Sequence, residues 1–240
     1  MIKLLQFKKV SFIFIFFSGV ISSLSLPPYN YFFINFFTLG YFFVFLIKNN
    51  KLKKRDYLIY GWLFGFGYFL SSLYWISISL TFDSEFKFLI PISLILIPSF
   101  LALFISLPVF FLSFFLKFNK LCLVLIFSIL LACSEFMRGY ILTGFPWNLF
   151  IYSFSNNLSF IQMLSIFGTY GLNLICISFF LLPSIFIFDK DRSDKIIASI
   201  LIIIFVSFFF IGNSRLNEKN IISKFDEGGL VKIISSKVEI

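Results

Sequence analysis

The chain has 240 residues, of which 60% are hydrophobic and 13% charged, with a formal net charge of +9 and no histidine. This composition excludes an ordinary soluble domain and places the chain in a lipid bilayer. With no histidine, a His-based triad or a zinc centre is not expected, and no cofactor or metal site is read here.

In chain order, seven apolar runs are long enough to cross about 30 Å of hydrocarbon: 10–26, 31–47, 57–80, 88–116, 120–137, 158–188 and 196–212. All are predicted to be helices, because in lipid each spanning segment must satisfy its own backbone donors and acceptors. The first run, preceded by Lys3, Lys8 and Lys9 and followed by Ser22, Ser23 and Ser25, has the layout of a secretory signal, but is read as the first span of a polytopic chain. The 88–116 and 158–188 runs exceed the minimum length and are expected to tilt or to kink at Pro91, Pro98, Pro108 and Pro183.

Beyond Gly212 the character changes. Residues 213–229 are polar, and Leu230–Ile240 has strand-like, β-branched content. The fold expected is therefore an all-α, polytopic bundle of about seven transmembrane helices over 1–212, with 213–240 as a short tail outside the bilayer.

Orientation follows from the basic residues. An inside N-terminus puts thirteen of them on that side: Lys3, Lys8, Lys9, Lys48, Lys51, Lys53, Lys54, Arg55, Lys117, Lys120, Lys190, Arg192 and Lys195. Only Lys87 and Arg138 fall outside before the tail. The N-terminus is expected in the cytoplasm and the 138–157 loop and the tail on the outer side. Because the basic residues sit in short loops, no nucleic-acid partner is expected.

The fifth run ends in Glu135-Phe136-Met137-Arg138-Gly139 and continues to Gly144-Phe145-Pro146-Trp147. A charge held in hydrocarbon costs about 2.5–3.5 kcal/mol on insertion scales, so the pair calls for a partner or a task. Glu135 and Arg138 share a helix face at i and i+3; they read either as an ion pair closing the bundle or as Arg138 meeting an anionic headgroup while Glu135 orients it. Gly144 and Pro146 enforce a tight path that fixes where the Trp147 indole points, although an interfacial aromatic belt explains single tryptophans as well. In the third run, Gly61 and Gly65 are spaced for close helix contact. Tyr74 and Trp75 lie near its outer end and are expected to face the same cavity as Trp147. Cys122, Cys133 and Cys176 lie in apolar runs and are read as small buried thiols, with no base beside Cys133 to make it a nucleophile.

Three blocks together resemble the membrane part of the bacterial apolipoprotein N-acyltransferase family: Gly61 to Trp75, Ser134 to Asn148, and Gly168-Thr169-Tyr170-Gly171-Leu172-Asn173. The Leu26-Pro27-Pro28-Tyr29 turn and the Leu230-Val231-Lys232-Ile233-Ile234 stretch fit the same pattern. The resemblance implies an inner-membrane transferase acting at the last step of lipoprotein maturation, with a phospholipid as acyl donor and a diacylated lipoprotein as acceptor. In such enzymes a Glu, a Lys and a Cys of a nitrilase-like domain carry the chemistry through a thioester.

No residue of this chain matches that triad, so no catalytic residue is assigned. Residues 230–240 look like the first strand of a nitrilase-like domain, and the chain reads as a truncated membrane platform that does not acylate alone. Glu135, Arg138, Gly144, Pro146, Trp147, Tyr74 and Trp75 are the candidates for binding lipid or substrate. Two rivals stand beside this reading. One is a non-enzymatic lipid-binding or transport bundle; the other is a split acyltransferase whose catalytic domain is a separate polypeptide.

Overall fold

A computed structural model describes residues 2–49, 52–141, 144–188 and 191–225, with side chains left aside at 2–10, 188 and 218–225. Among the described residues all regular structure is helical. The helices are α1 (Ile2–Ser22), α2 (Ile34–Lys48), α3 (Lys54–Leu73), α4 (Ile90–Leu101), α5 (Leu103–Leu112), α6 (Lys120–Arg138), α7 (Leu158–Ile161), α8 (Leu164–Leu181), α9 (Pro183–Phe188) and α10 (Arg192–Phe225). The expected all-α membrane bundle is what forms.

Five of the segments are long and apolar enough to span a bilayer: Lys54–Thr81, Ser84–Leu112, Lys120–Arg138, Leu164–Ile187 and Arg192–Asn217. Ser11–Ser25 and Ile34–Lys48 are shorter apolar helices covering the first two predicted runs. This is a multi-pass membrane protein.

Several boundaries differ from the sequence pattern, each for a local reason. The third run was expected to be helical to residue 80, but α3 ends at Leu73 and Tyr74–Thr81 winds as a 3-10 helix. There the hydroxyls of Ser77, Ser79 and Thr81 donate to the carbonyls three residues back, at 2.6, 2.7 and 2.7 Å, competing with the α-helical ladder. The 88–116 run starts with a 3-10 turn (Ser84–Leu89), takes Pro91 into the first turn of α4, and breaks at Ala102. Pro108 has no N–H for the carbonyl of Phe104; Ser134 Oγ of α6 donates to that carbonyl instead, at 2.6 Å.

The 158–188 run is broken three times, first at Gln162–Met163 between α7 and α8. Gly168 takes φ 66°, ψ 173° inside Leu164–Leu181, a left-handed conformation that glycine adopts without a Cβ penalty. Pro183 then separates α8 from α9. The last run does not stop at Gly212: α10 continues to Phe225. The strand-like residues 230–240 lie outside the described residues.

The core is built around α3, which packs between α1 and α5. Its glycines permit this. A Cβ on Gly61 would sit 2.8 Å from Ser106 Cα, and one on Gly65 2.9 Å from Ala102 Cα, so the expected close helix contact is made against α5 and the α4–α5 break. Phe42 stacks on Phe64 at 4.5 Å between centroids, and Phe43 on Phe127 at 5.8 Å, so much of the phenylalanine content fills the interior.

Candidate functional site

The site grows from the C-terminal end of α6. Arg138 closes the helix, Gly139 caps it by donating its N–H to the carbonyl of Glu135 at 3.1 Å, and the chain then folds back over the helix end. Phe145 N–H donates to the Arg138 carbonyl at 2.9 Å. Gly144 makes the return possible at φ +75°, where a Cβ would meet the Gly139 carbonyl oxygen at 2.4 Å.

Arg138 holds this loop from beneath. Its Nη1 donates to the carbonyls of Phe145 and Trp147 at 2.8 and 2.7 Å. The residue is 1% exposed, so it forms the buried post under the loop rather than standing at its mouth. Its Nη2 lies 3.7 Å from Glu135 Oε1, and the guanidinium sits over the rings of Phe69 and Phe145 at 5.2 and 6.0 Å.

Glu135, 2% exposed, is fixed from its other side by Asn173 of α8. The Ile151 N–H donates to Asn173 Oδ1 at 3.0 Å, which turns the amide so that Nδ2 donates to Glu135 Oε2. A carboxylate with an amide donor on one oxygen and a guanidinium ion-paired at 3.7 Å to the other is an arrangement that lets a charge stay buried. The α6–α8 contact therefore sets the position of the 3-10 turn Phe150–Phe154 as well as of the loop.

The far end of the loop is tied to α3. Tyr68 Oη donates to the Asn148 carbonyl at 3.0 Å, and Asn148 Nδ2 donates to Ser72 Oγ. Asn148 takes φ +59°, a left-handed conformation that asparagine tolerates better than most residues. Tyr152 Oη donates to the Pro146 carbonyl at 3.2 Å. Burial, with Tyr170 next in weight, pushes the Tyr152 phenol above its ordinary pKa.

These ties bring Trp147 onto Trp75, with centroids 5.2 Å apart and planes at 20°. Trp75, Trp147 and Tyr74 stand on the wall of a cavity of about 790 Å³, opposite the Leu26–Tyr29 turn and beside Ser71, Ser72 and Tyr152. That volume is in the range of small-molecule and lipid-headgroup sites, about 300–1,000 Å³. The wall is aromatic and apolar with hydroxyls interspersed, as suits an amphiphile.

Of the residues predicted from sequence, the structure gathers Tyr74, Trp75 and Trp147 at this cavity. Glu135, Arg138 and Gly144 lie behind it as the support of the loop, and Pro146 is exposed on the loop itself. Sequence reasoning did not single out Asn173, Tyr68, Asn148 or Ser72. Asn173 alone carried a signal, as an amide inside an apolar span.

Of the three cysteines expected to be buried, Cys176 is buried, Cys122 is half-buried and Cys133 is exposed on the outside of the bundle. No cysteine makes a hydrogen bond through its sulfur to a described residue. No cluster of three or more potential metal ligands occurs among the described residues.

Comparison with known proteins bears on this geometry. Residues 18–182 match the family model described as Apolipoprotein N-acyltransferase N-terminal domain. The chain is 36% identical over 175 residues to the apolipoprotein N-acyltransferase of Rhodopseudomonas palustris, covering 71% of this chain and 32% of that protein. It is 42% identical over 160 residues to that of Rickettsia prowazekii, covering 66% and 31%, and 31% identical over 178 residues to that of Brucella melitensis, covering 71% and 33%. The chain thus spans about a third of the length of the curated relatives it matches. The matched segment contains the α3 glycines, the Arg138 loop and Asn173, and on that ground the chain belongs to the apolipoprotein N-acyltransferase family.

Proposed function

We propose that this chain is the membrane platform of an apolipoprotein N-acyltransferase, which moves an acyl chain from a phospholipid to the N-terminal diacylglyceryl-cysteine of a lipoprotein. The observation that carries the reading is the Trp75–Trp147 cavity, built from the matched segment and sized for a lipid headgroup with part of a chain. In this reading Tyr74, Trp75 and Trp147 contact the lipid. Gly144 and Pro146 shape the loop that presents Trp147, and Glu135 and Arg138 hold that loop in place.

The platform lies in the bacterial inner membrane, with the N-terminus in the cytoplasm, and 1–212 is its transmembrane unit. The skew of basic residues toward one side supports this orientation, which assigns 213–240 to the periplasmic side. The 240 residues bind substrates without transferring the acyl chain, since among the described residues Cys122, Cys133 and Cys176 all lie in apolar helices, where no base is at hand to generate a thiolate nucleophile.

The test uses the purified chain in lipid nanodiscs with a phospholipid carrying a labelled acyl chain and a synthetic diacylglyceryl lipopeptide. Expected are binding of both and no labelled triacylated product. Turnover in a preparation free of other acyltransferases would overturn the inactive-platform reading. Failure to bind either compound would overturn the platform itself.

A further inference from the structure

Opposite Trp75 and Trp147, the second wall of the cavity is made by Ser23, Leu24 and the Leu26–Tyr29 turn. The chain reaches that turn through one 3-10 turn, Ser23–Ser25, at the end of α1, after which Leu26 is extended at φ −85°, ψ 162°. Asn35, in the first turn of α2, straddles the 3-10 turn from behind. Its Oδ1 accepts from Ser22 Oγ at 2.6 Å, and its Nδ2 donates to Ser25 Oγ at 2.9 Å. Asn35, Ser22 and Ser25 are fully buried, and none of them stands in the cavity wall.

A buried amide between two membrane helices commonly serves to hold them together. Two observations give this one a narrower task. First, α1 and α2 are already joined one helical turn away, where Ser18 Oγ donates to the Thr38 carbonyl at 3.1 Å. Second, the two partners of Asn35 bracket the 3-10 turn, so the amide fixes the angle at which the backbone leaves α1. The turn then closes on its own amides: Tyr29 and Asn30 donate to the Leu26 carbonyl at 3.1 and 3.0 Å, and Tyr31 donates to the Leu24 carbonyl at 3.1 Å.

We infer that Asn35 is a positioning residue of the cavity: acting through Ser22 and Ser25, it sets how far the Leu26–Tyr29 turn stands from the tryptophan pair, and so what cross-section the cavity admits. It does for this wall what Asn173 does for the other. An amide suits the task because it donates and accepts at once and brings no charge into a desolvated place. The inference concerns the shape of the cavity and stands whether or not the acyl-transfer reading holds.

Two measurements in nanodiscs test it, neither of which uses a substrate. Hydrogen exchange reads the hold on the turn. In Asn35→Leu, similar in shape but unable to make either bond, the amides of Tyr29, Asn30 and Tyr31 are expected to exchange about tenfold faster, the factor for two ordinary hydrogen bonds. Ser25→Ala should give about threefold, and the double variant should exchange no faster than Asn35→Leu, because Asn35 acts through Ser25. The Phe145 amide on the opposite wall should keep its wild-type rate. Pulsed electron resonance between spin labels on azide-bearing residues at positions 29 and 140, both more than half exposed, reads the width. That distance should change by about 3 Å in Asn35→Leu, the reach of one hydrogen bond, and in the same direction but less in Ser25→Ala. An unchanged distance, faster exchange spread equally along α1 and α2, or additive effects in the double variant overturns the inference. Where Asn35→Leu fails to fold, Ser25→Ala carries both measurements.

Discussion

Both ends of α6 are fastened to a neighbouring helix by a buried carboxylate, but they are finished differently. At the start, Asn119 Oδ1 accepts from the Cys122 N–H at 2.9 Å. Asp194 of α10 then accepts from Asn119 Nδ2 at 3.1 Å and from the Leu121 N–H at 3.3 Å. An anion beside the first turn suits both the unpaired N–H groups and the helix dipole, and the joint uses the donors it gathers. At the other end, Glu135 and Asn173 fix Arg138, which spends one nitrogen on the loop and keeps two without a hydrogen-bond acceptor among the described residues. The first joint has only to hold; the second holds a shape.

The largest effect should come from Glu135→Leu, which leaves Arg138 as a buried cation without its counter-charge. Loss of about 3–5 kcal/mol is expected, read as a steep fall in thermal unfolding temperature in detergent. A loss under about 1 kcal/mol would mean that the joint at the C-terminal end of α6 is not held by this pair. Next, Arg138→Lys keeps a charge for Glu135 but not the planar fork that serves two carbonyls. It should cost about 1.5–3 kcal/mol and change the near-ultraviolet circular dichroism of the Trp75–Trp147 pair.

A smaller loss, about 1–2 kcal/mol, is expected for Gly144→Ala, where φ is +75° and the new Cβ would press on the Gly139 carbonyl. Its effect on hydrogen exchange should be confined to the Arg138 end of α6. The smallest change expected is Asp194→Asn, about 1 kcal/mol, because one of the two donors to the carboxylate then faces an amide nitrogen, with lipid labelling at the Arg138 end of α6 unchanged. Altered labelling there would show that the two joints are coupled, and the contrast between them would fail.

The helices were legible because hydrocarbon leaves the backbone one choice over long apolar runs. The expected 120–137 span and the observed Lys120–Arg138 helix are nearly the same. The break at Pro183 could be anticipated, since a missing N–H is a property of the residue itself, whereas Pro98 and Pro108 lie inside α4 and α5 and the break there comes at Ala102. The Gly168 break could not, because a glycine in a span is compatible with either hand and only the surrounding packing selects φ 66°. At the site, the convergence of Trp75 with Trp147 followed from both lying near one boundary. The support of that pair was hidden, since Asn173 reaches Glu135 across 38 positions and Tyr68 reaches Asn148 across 80. Arg138 read as a boundary charge, and its burial depends on the loop turning back at Gly144, which no spacing announces.

The bond from Ser134 to the Phe104 carbonyl bears on how the protein is made. Before α6 arrives, α5 carries into the membrane an acceptor that Pro108 has left bare, at a cost of a few kcal/mol in hydrocarbon. That cost vanishes only when α6 lies alongside, so α5 and α6 are expected to leave the insertion machinery as a hairpin. A chain halted between them should linger there, and Ser134→Ala should prolong the delay while leaving the finished topology the same.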